Sequence, residues 1–184
     1  MPPRYETSVS RAGIATLPHG LSATAAPAPD GMCKSAIVKV TMLLADFVQV
    51  SDGKLTVVGG GWSLTGPETT PFGIAILVHV PWDQANRRHT LRLELVDADG
   101  RPVTLPGDDG EERPIVFLDD VEFEVGRPAG IKPGTPLELP LAVNSGPLPL
   151  EPGGRYEWRL SIDGAGDEDW RLAFSVRPHE EPDT

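Results

Sequence analysis

Two apolar runs meet at Ser51-Asp52-Gly53-Lys54, and that turn limits what the chain can become. Asp-Gly between such runs marks a β-hairpin, because a type I′ turn needs positive φ at both central residues and Gly53 adopts it without steric cost. The first arm, Leu43-Leu-Ala-Asp-Phe-Val-Gln-Val50, reads back to Ile37 as one long strand. It is apolar at both phases through Met42-Leu43-Leu44, the pattern of a strand covered on both faces. The second arm runs from Leu55 into Gly59-Gly60-Gly61-Trp62.

The rest of the chain repeats this punctuation. Glycine and proline, 20 of each, separate short apolar runs, and no window keeps helical spacing for three turns. Ile74, Ile76, Val78 and Val80 alternate in Phe72 to Val80, and Leu91, Leu93 and Leu95 do so in the next strand. A polar surface loop is expected at 106–114. Val121, Phe123 and Val125 are expected inward on the strand after it. Pro140, inside the alternating run Leu137 to Val143, predicts an edge strand because proline cannot donate to a ladder. Tyr156, Trp158, Leu160 and Ile162, then Trp170, Leu172, Phe174 and Val176, form the clearest pair, joined by a turn from Asp163. Eight or nine short strands at this spacing predict an all-β, two-sheet antiparallel sandwich.

Leu150-Glu-Pro-Gly-Gly-Arg-Tyr156 resembles the tyrosine corner of immunoglobulin-like and fibronectin type III domains. There the tyrosine hydroxyl bonds to backbone just upstream. The resemblance implies an immunoglobulin-like sandwich and a structural role for Tyr156. The paired cysteines of true immunoglobulin domains are missing.

Residues 1–35 read as a disordered extension, 36–178 as the sandwich domain and 179–184 as a polar tail. Ala23-Thr-Ala-Ala-Pro-Ala-Pro-Asp30 has too little apolar surface to offset the entropy of ordering. The basic start and continuous apolar run of a secretory signal are both missing. Met32 is expected to be the natural start.

The formal net charge is -11. Arg4 and Arg11 cancel Glu6 and Asp30, so the excess lies in residues 32–184. A field of that sign repels phosphate and makes nucleic acid and anionic membrane poor partners. The single cysteine, Cys33, suits a reducing compartment, and the expected location is cytoplasmic.

The hairpin from Leu44-Ala45-Asp46-Phe47 through Asp52-Gly53-Lys54-Leu55 to Gly59-Gly60-Gly61-Trp62-Ser63, together with Arg155-Tyr156-Glu157-Trp158-Arg159-Leu160, resembles an uncharacterised family of bacterial domains, found mainly in actinobacteria and some phages. The resemblance spans about residues 36–178 and agrees with a start at Met32. It implies no activity, cofactor or catalytic residue.

Gly59-Gly60-Gly61 continues a strand instead of opening a helix, so it does not read as a phosphate loop. A bulge, or a place where Trp62 or another strand meets bare backbone, is the preferred reading. There is no Gly-x-Ser-x-Gly elbow and no His-Glu-x-x-His, and His79 and His89 read as structural. Asp97, Asp99, Asp108 and Asp109, with Glu111, Glu112, Asp119 and Asp120, lie in acidic loops. These would suit calcium if they converged, although a solvated acidic rim is preferred. Trp158 and Trp170 belong to apolar faces, while Trp82 is a candidate surface contact. The leading expectation is a non-enzymatic interaction or assembly module with an unknown protein partner and no cofactor or metal. The alternative is a module binding a small ligand or calcium through the acidic loops and Trp82. An enzyme of unknown class comes third.

Overall fold

The computed structural model describes residues 8–11, 38–107 and 110–179. Among them the regular structure is almost wholly strand. The strands are β1 (Ser8–Arg11), β2 (Lys39–Ala45), β3 (Phe47–Ser51), β4 (Lys54–Val58), β5 (Leu64–Thr65), β6 (Phe72–Val80), β7 (Arg88–Asp97), β8 (Thr104–Pro106), β9 (Glu112–Pro114), β10 (Val116–Glu124), β11 (Leu137–Ser145), β12 (Arg155–Ile162) and β13 (Ala165–Val176). One 3₁₀ turn, Trp82–Gln84, links β6 to β7.

Two sheets make the body. The first has strand order β1-β11-β6-β2 and the second β10-β7-β12-β13-β5, while β3–β4 and β8–β9 form separate two-stranded ribbons. Every pairing is antiparallel except that of β5 with β13. The core lies between the two sheets. Leu44, Ile74, Ile76, Val78 and Val143 come from the first, and Leu91, Leu93, Leu95, Trp158, Leu160 and Phe174 from the second. Full burial of side chains of this size contributes about 1.5–3 kcal/mol each relative to exposure, so period-2 alternation is what specifies the sandwich. Trp158 is completely buried and stacks on Phe117 with centroids 4.5 Å apart. Trp170 is buried as well.

The fold differs from the sequence expectation in four places. The long strand expected from Ile37 to Val50 breaks at Asp46. β2 pairs with β6, while β3 leaves the sheet to pair with β4. An apolar run at both phases does not show where a strand changes partner. The expected loop at 106–114 supplies the last residue of β8 and all of β9, a ribbon whose backbone pairs although its residues are mostly exposed.

Pro140 does not lie on an outermost strand, because β1 adds to the outer side of β11. That pairing runs from Ser8 opposite Asn144 to Arg11 opposite Leu141 and stops one residue short of the proline. β1 also amends the reading of residues 1–35 as a disordered extension, at four positions. The remainder of that segment, including Met32 and Cys33, lies outside the described residues. The inward set expected near Phe123 does face the core, with Phe123 buried and Val121 and Val125 half-buried and packed against it. A bulge between Leu118 and Val121, with Asp120 at φ 50°, shifts the register there.

Candidate interaction surface

The β3–β4 hairpin is the distinctive part of the molecule. Asp52 and Gly53 have φ of 50° and 70°, the two positive values a type I′ turn requires. The turn fixes the register, with Phe47 opposite Val58, Val48 opposite Val57, Gln49 opposite Thr56 and Val50 opposite Leu55. Successive side chains alternate between faces, so Val48, Val50, Leu55 and Val57 share one face, and Phe47, Gln49, Thr56 and Val58 the other.

The first face lies on the outer surface of the first sheet. A second, smaller core forms there from Ala45, Val48, Ala75 and Ala142, with Val50 and Leu55 packed against it. The sheet is lined with small residues at this point so that the ribbon can approach. A Cβ on Gly73 would stand 2.8 Å from Val48 Cγ2 and 3.0 Å from the Val48 nitrogen. Asn144 locks the approach, because its Oδ1 accepts from the Val48 N–H at 3.0 Å and its Nδ2 donates to the Val48 carbonyl at 2.8 Å. The side-chain amide thus supplies the donor and acceptor that a neighbouring strand would offer.

The three glycines form the neck of the ribbon. A Cβ on Gly59 would run into the Asp46 carboxylate, one on Gly60 would sit 2.8 Å from both Leu43 and Val57, and the Gly61 N–H donates to Leu44 at 2.7 Å. Trp62 follows, half-buried, edge-on to Phe72 and to Phe174. The side chains of Asp46, Leu43 and Val57 thus crowd the bare backbone of Gly59 and Gly60.

The second face of the ribbon has no cover among the described residues. Phe47 keeps 47% of its surface exposed and Val58 53%, and Leu43 and Val57 beside the neck keep 37% each. Among the described residues, four of the six large exposed apolar residues therefore lie in this one stretch; the others are Leu64 and Ile131. Sequence reasoning missed this face, although counting outward from Asp52-Gly53 places Phe47 beside Val58.

The other candidates are dispersed. Asp97 Oδ1 accepts from the Asp99 and Arg101 N–H groups at 2.9 Å each, and Arg101 pairs with Asp99 at 3.0 Å, so these acids are engaged in closing their own turn. Asp119 pairs with Arg92. Asp108 and Asp109 lie outside the described residues, and among those described no group of three or more His, Cys, Asp and Glu is placed to hold a metal. Trp82 is half-buried, with the Arg127 guanidinium 4.9 Å above its ring and donating to its carbonyl at 2.8 Å.

Both strand histidines stand beside a carboxylate. His79 is 3.7 Å from Glu138, and buried His89 is 2.8 Å from Asp163 with its other ring nitrogen 3.3 Å from the Gln84 carbonyl. Asp163 has its acidity strengthened. Burial pushes its pKa up, but hydrogen bonds from His89 and Thr90 and the charge of His89 outweigh that. Neither histidine lines the cleft at the end of the sandwich, whose walls include Trp62, Thr69, Phe72, Leu148 and Phe174. The Tyr156 hydroxyl accepts from the Glu151 N–H at 2.9 Å. Burial raises its pKa, the Glu151 and Asp97 charges add to the rise, and the hydrogen bond opposes it.

Residues 40–177 match the family of unknown function DUF6941. The chain belongs to this family. The DUF6941 match takes in β2 through β13, hence the hairpin, its neck and the Asn144 lock. No curated protein matches the chain. Among the described residues no helix is long and apolar enough to cross a membrane.

Proposed function

We propose that the protein is a non-enzymatic interaction or assembly module that works in the cytoplasm, with the outer face of the β3–β4 hairpin as its contact surface for a protein partner. The observation that carries this reading is the side-by-side exposure of Phe47 and Val58 on a ribbon held by Asn144. Apolar side chains grouped on a rigid, outward face mark a surface made for contact, whereas single exposed apolar residues do not. The net charge of -11 favours protein over nucleic acid as the partner. The Tyr156 corner supports an immunoglobulin-like ancestry for the sandwich.

The test is paired capture from native lysate, with the native chain and with Phe47→Asp plus Val58→Asp. The reading expects a protein retained by the native chain and lost by a variant that melts at the same temperature. If the variant retains every protein the native chain does, the hairpin is not the contact surface.

A further inference from the structure

Open sheet edges present rows of unpaired N–H and C=O groups and invite another strand unless something blunts them. In the two main sheets the edges are handled differently. β10 is broken by a bulge and carries Asp119, Asp120, Glu122 and Glu124. β5 is only two residues long. β2 begins at Lys39, and its outer side receives the Gly61 N–H at Leu44.

β11 has no such device from Leu141 to Ser145. That stretch, Leu-Ala-Val-Asn-Ser, is uncharged and pairs with β6 in unbroken register from Leu137 to Ser145. Pro140 guards one end only. The stretch is covered instead by β1, a four-residue strand that pairs with β11, lies beside β3, and precedes β2 by the whole of residues 12–38.

We propose that the β11 edge from Leu141 to Asn144 is a strand-acceptor site for an extended peptide, and that Ser8–Arg11 is its resident occupant. Addition to a sheet edge relies on main-chain hydrogen bonds, so the site selects extended, proline-free backbone more than side chains. Because the resident strand belongs to the same chain, its pairing is intramolecular and outcompetes a free peptide. An outside peptide gains access only when the resident one is weakened. This inference does not depend on the hairpin being a contact surface.

The test uses the full chain carrying Val9→Pro with Ser10→Pro. Successive N–H groups point to opposite sides of a strand, so one of the two prolines removes a donor aimed at β11. Amide exchange is followed at Leu141–Asn144, with β7 and β12 as reporters of the intact sandwich. The double variant is expected to raise exchange roughly tenfold at those Leu141–Asn144 amides that point toward β1, as for a local opening, and to leave their β6-bonded neighbours, β7 and β12 unchanged. A synthetic peptide of residues 4–16 at millimolar concentration should restore protection, and the same peptide with both prolines should not. Deletion of residues 1–11 provides a second variant that must respond in the same way. Unchanged exchange at Leu141–Asn144 in both variants would overturn the proposal, and so would failure of the native peptide to restore protection.

Discussion

The two faces of the first sheet are built to opposite rules. Its inner face presents Ile74, Ile76, Val78, Leu141 and Val143, branched or long side chains that interlock with the second sheet. Its outer face, under the hairpin, presents Gly73, Ala75 and Ala142, and at Gly73 the Val48 nitrogen lies only 3.0 Å from where a Cβ would stand. Large residues fill space between layers and carry most of the burial energy. Small residues give up that energy and gain close backbone approach, which fixes where the ribbon sits. The inner face therefore folds the domain, and the outer face positions the hairpin.

The largest break in this comparison comes from the inner face. Trp158→Ala removes a wholly buried ring stacked on Phe117 and should cost about 3–5 kcal/mol in urea unfolding. A loss below about 1 kcal/mol would show that the space between the sheets is not the principal core.

The outer face responds to the opposite change. Ala142→Leu adds volume where the ribbon needs none and should cost about 1–3 kcal/mol. It should also raise amide exchange selectively in β3 and β4. If exchange rises evenly across the domain, the ribbon is not separately mounted.

Asn144→Ala sharpens the same point by removing the amide clamp instead of adding bulk beneath the ribbon. It leaves the Val48 N–H and C=O without their partner and should cost about 1 kcal/mol, read as a lower urea midpoint with an unchanged slope. No change in the midpoint would mean that the lock contributes nothing to holding the ribbon.

The smallest expected effect lies in the second sheet and serves as a control remote from both faces. Asp163 has its folded pKa depressed by its His89 and Thr90 partners against the opposing effect of burial. A depressed carboxyl contributes stability that is present above its unfolded pKa and lost as pH falls through the folded value. The melting-temperature gap between the native chain and Asp163→Asn should therefore shrink only as pH falls below the ordinary carboxylate range, about pH 4. A gap that widens on acidification would contradict the assigned direction.

Much of this architecture is legible in the sequence. Alternation in Phe72–Val80, Arg155–Ile162 and Ala165–Val176 shows which residues face the core, because one buried face imposes a period of two. Asp52-Gly53 marks the turn, and the two-residue count fixes the cross-strand partners out to Phe47 and Val58. The break at Asp46 is not legible, since Met42-Leu43-Leu44 is apolar at either phase and the change of partner depends on Gly59 folding back over the Asp46 carboxylate. Ser8–Arg11 and the β8–β9 ribbon escape notice for a related reason. Backbone pairing holds them, and it leaves no hydrophobic period to read. The Asn144 lock joins residues 96 positions apart, a contact that no local pattern announces.

The central claim is that the outer face of the hairpin is presented to a partner and carries little of the folding energy. The melting temperature of Phe47→Thr with Val58→Thr tests it most directly, because threonine keeps the strand preference while removing the apolar surface. The account predicts a fall of no more than about 4 °C, roughly 1 kcal/mol in a domain of this size. A fall of about 10 °C or more, on the scale of a core truncation, would show that Phe47 and Val58 belong to the folded core and that the hairpin has no free face to offer.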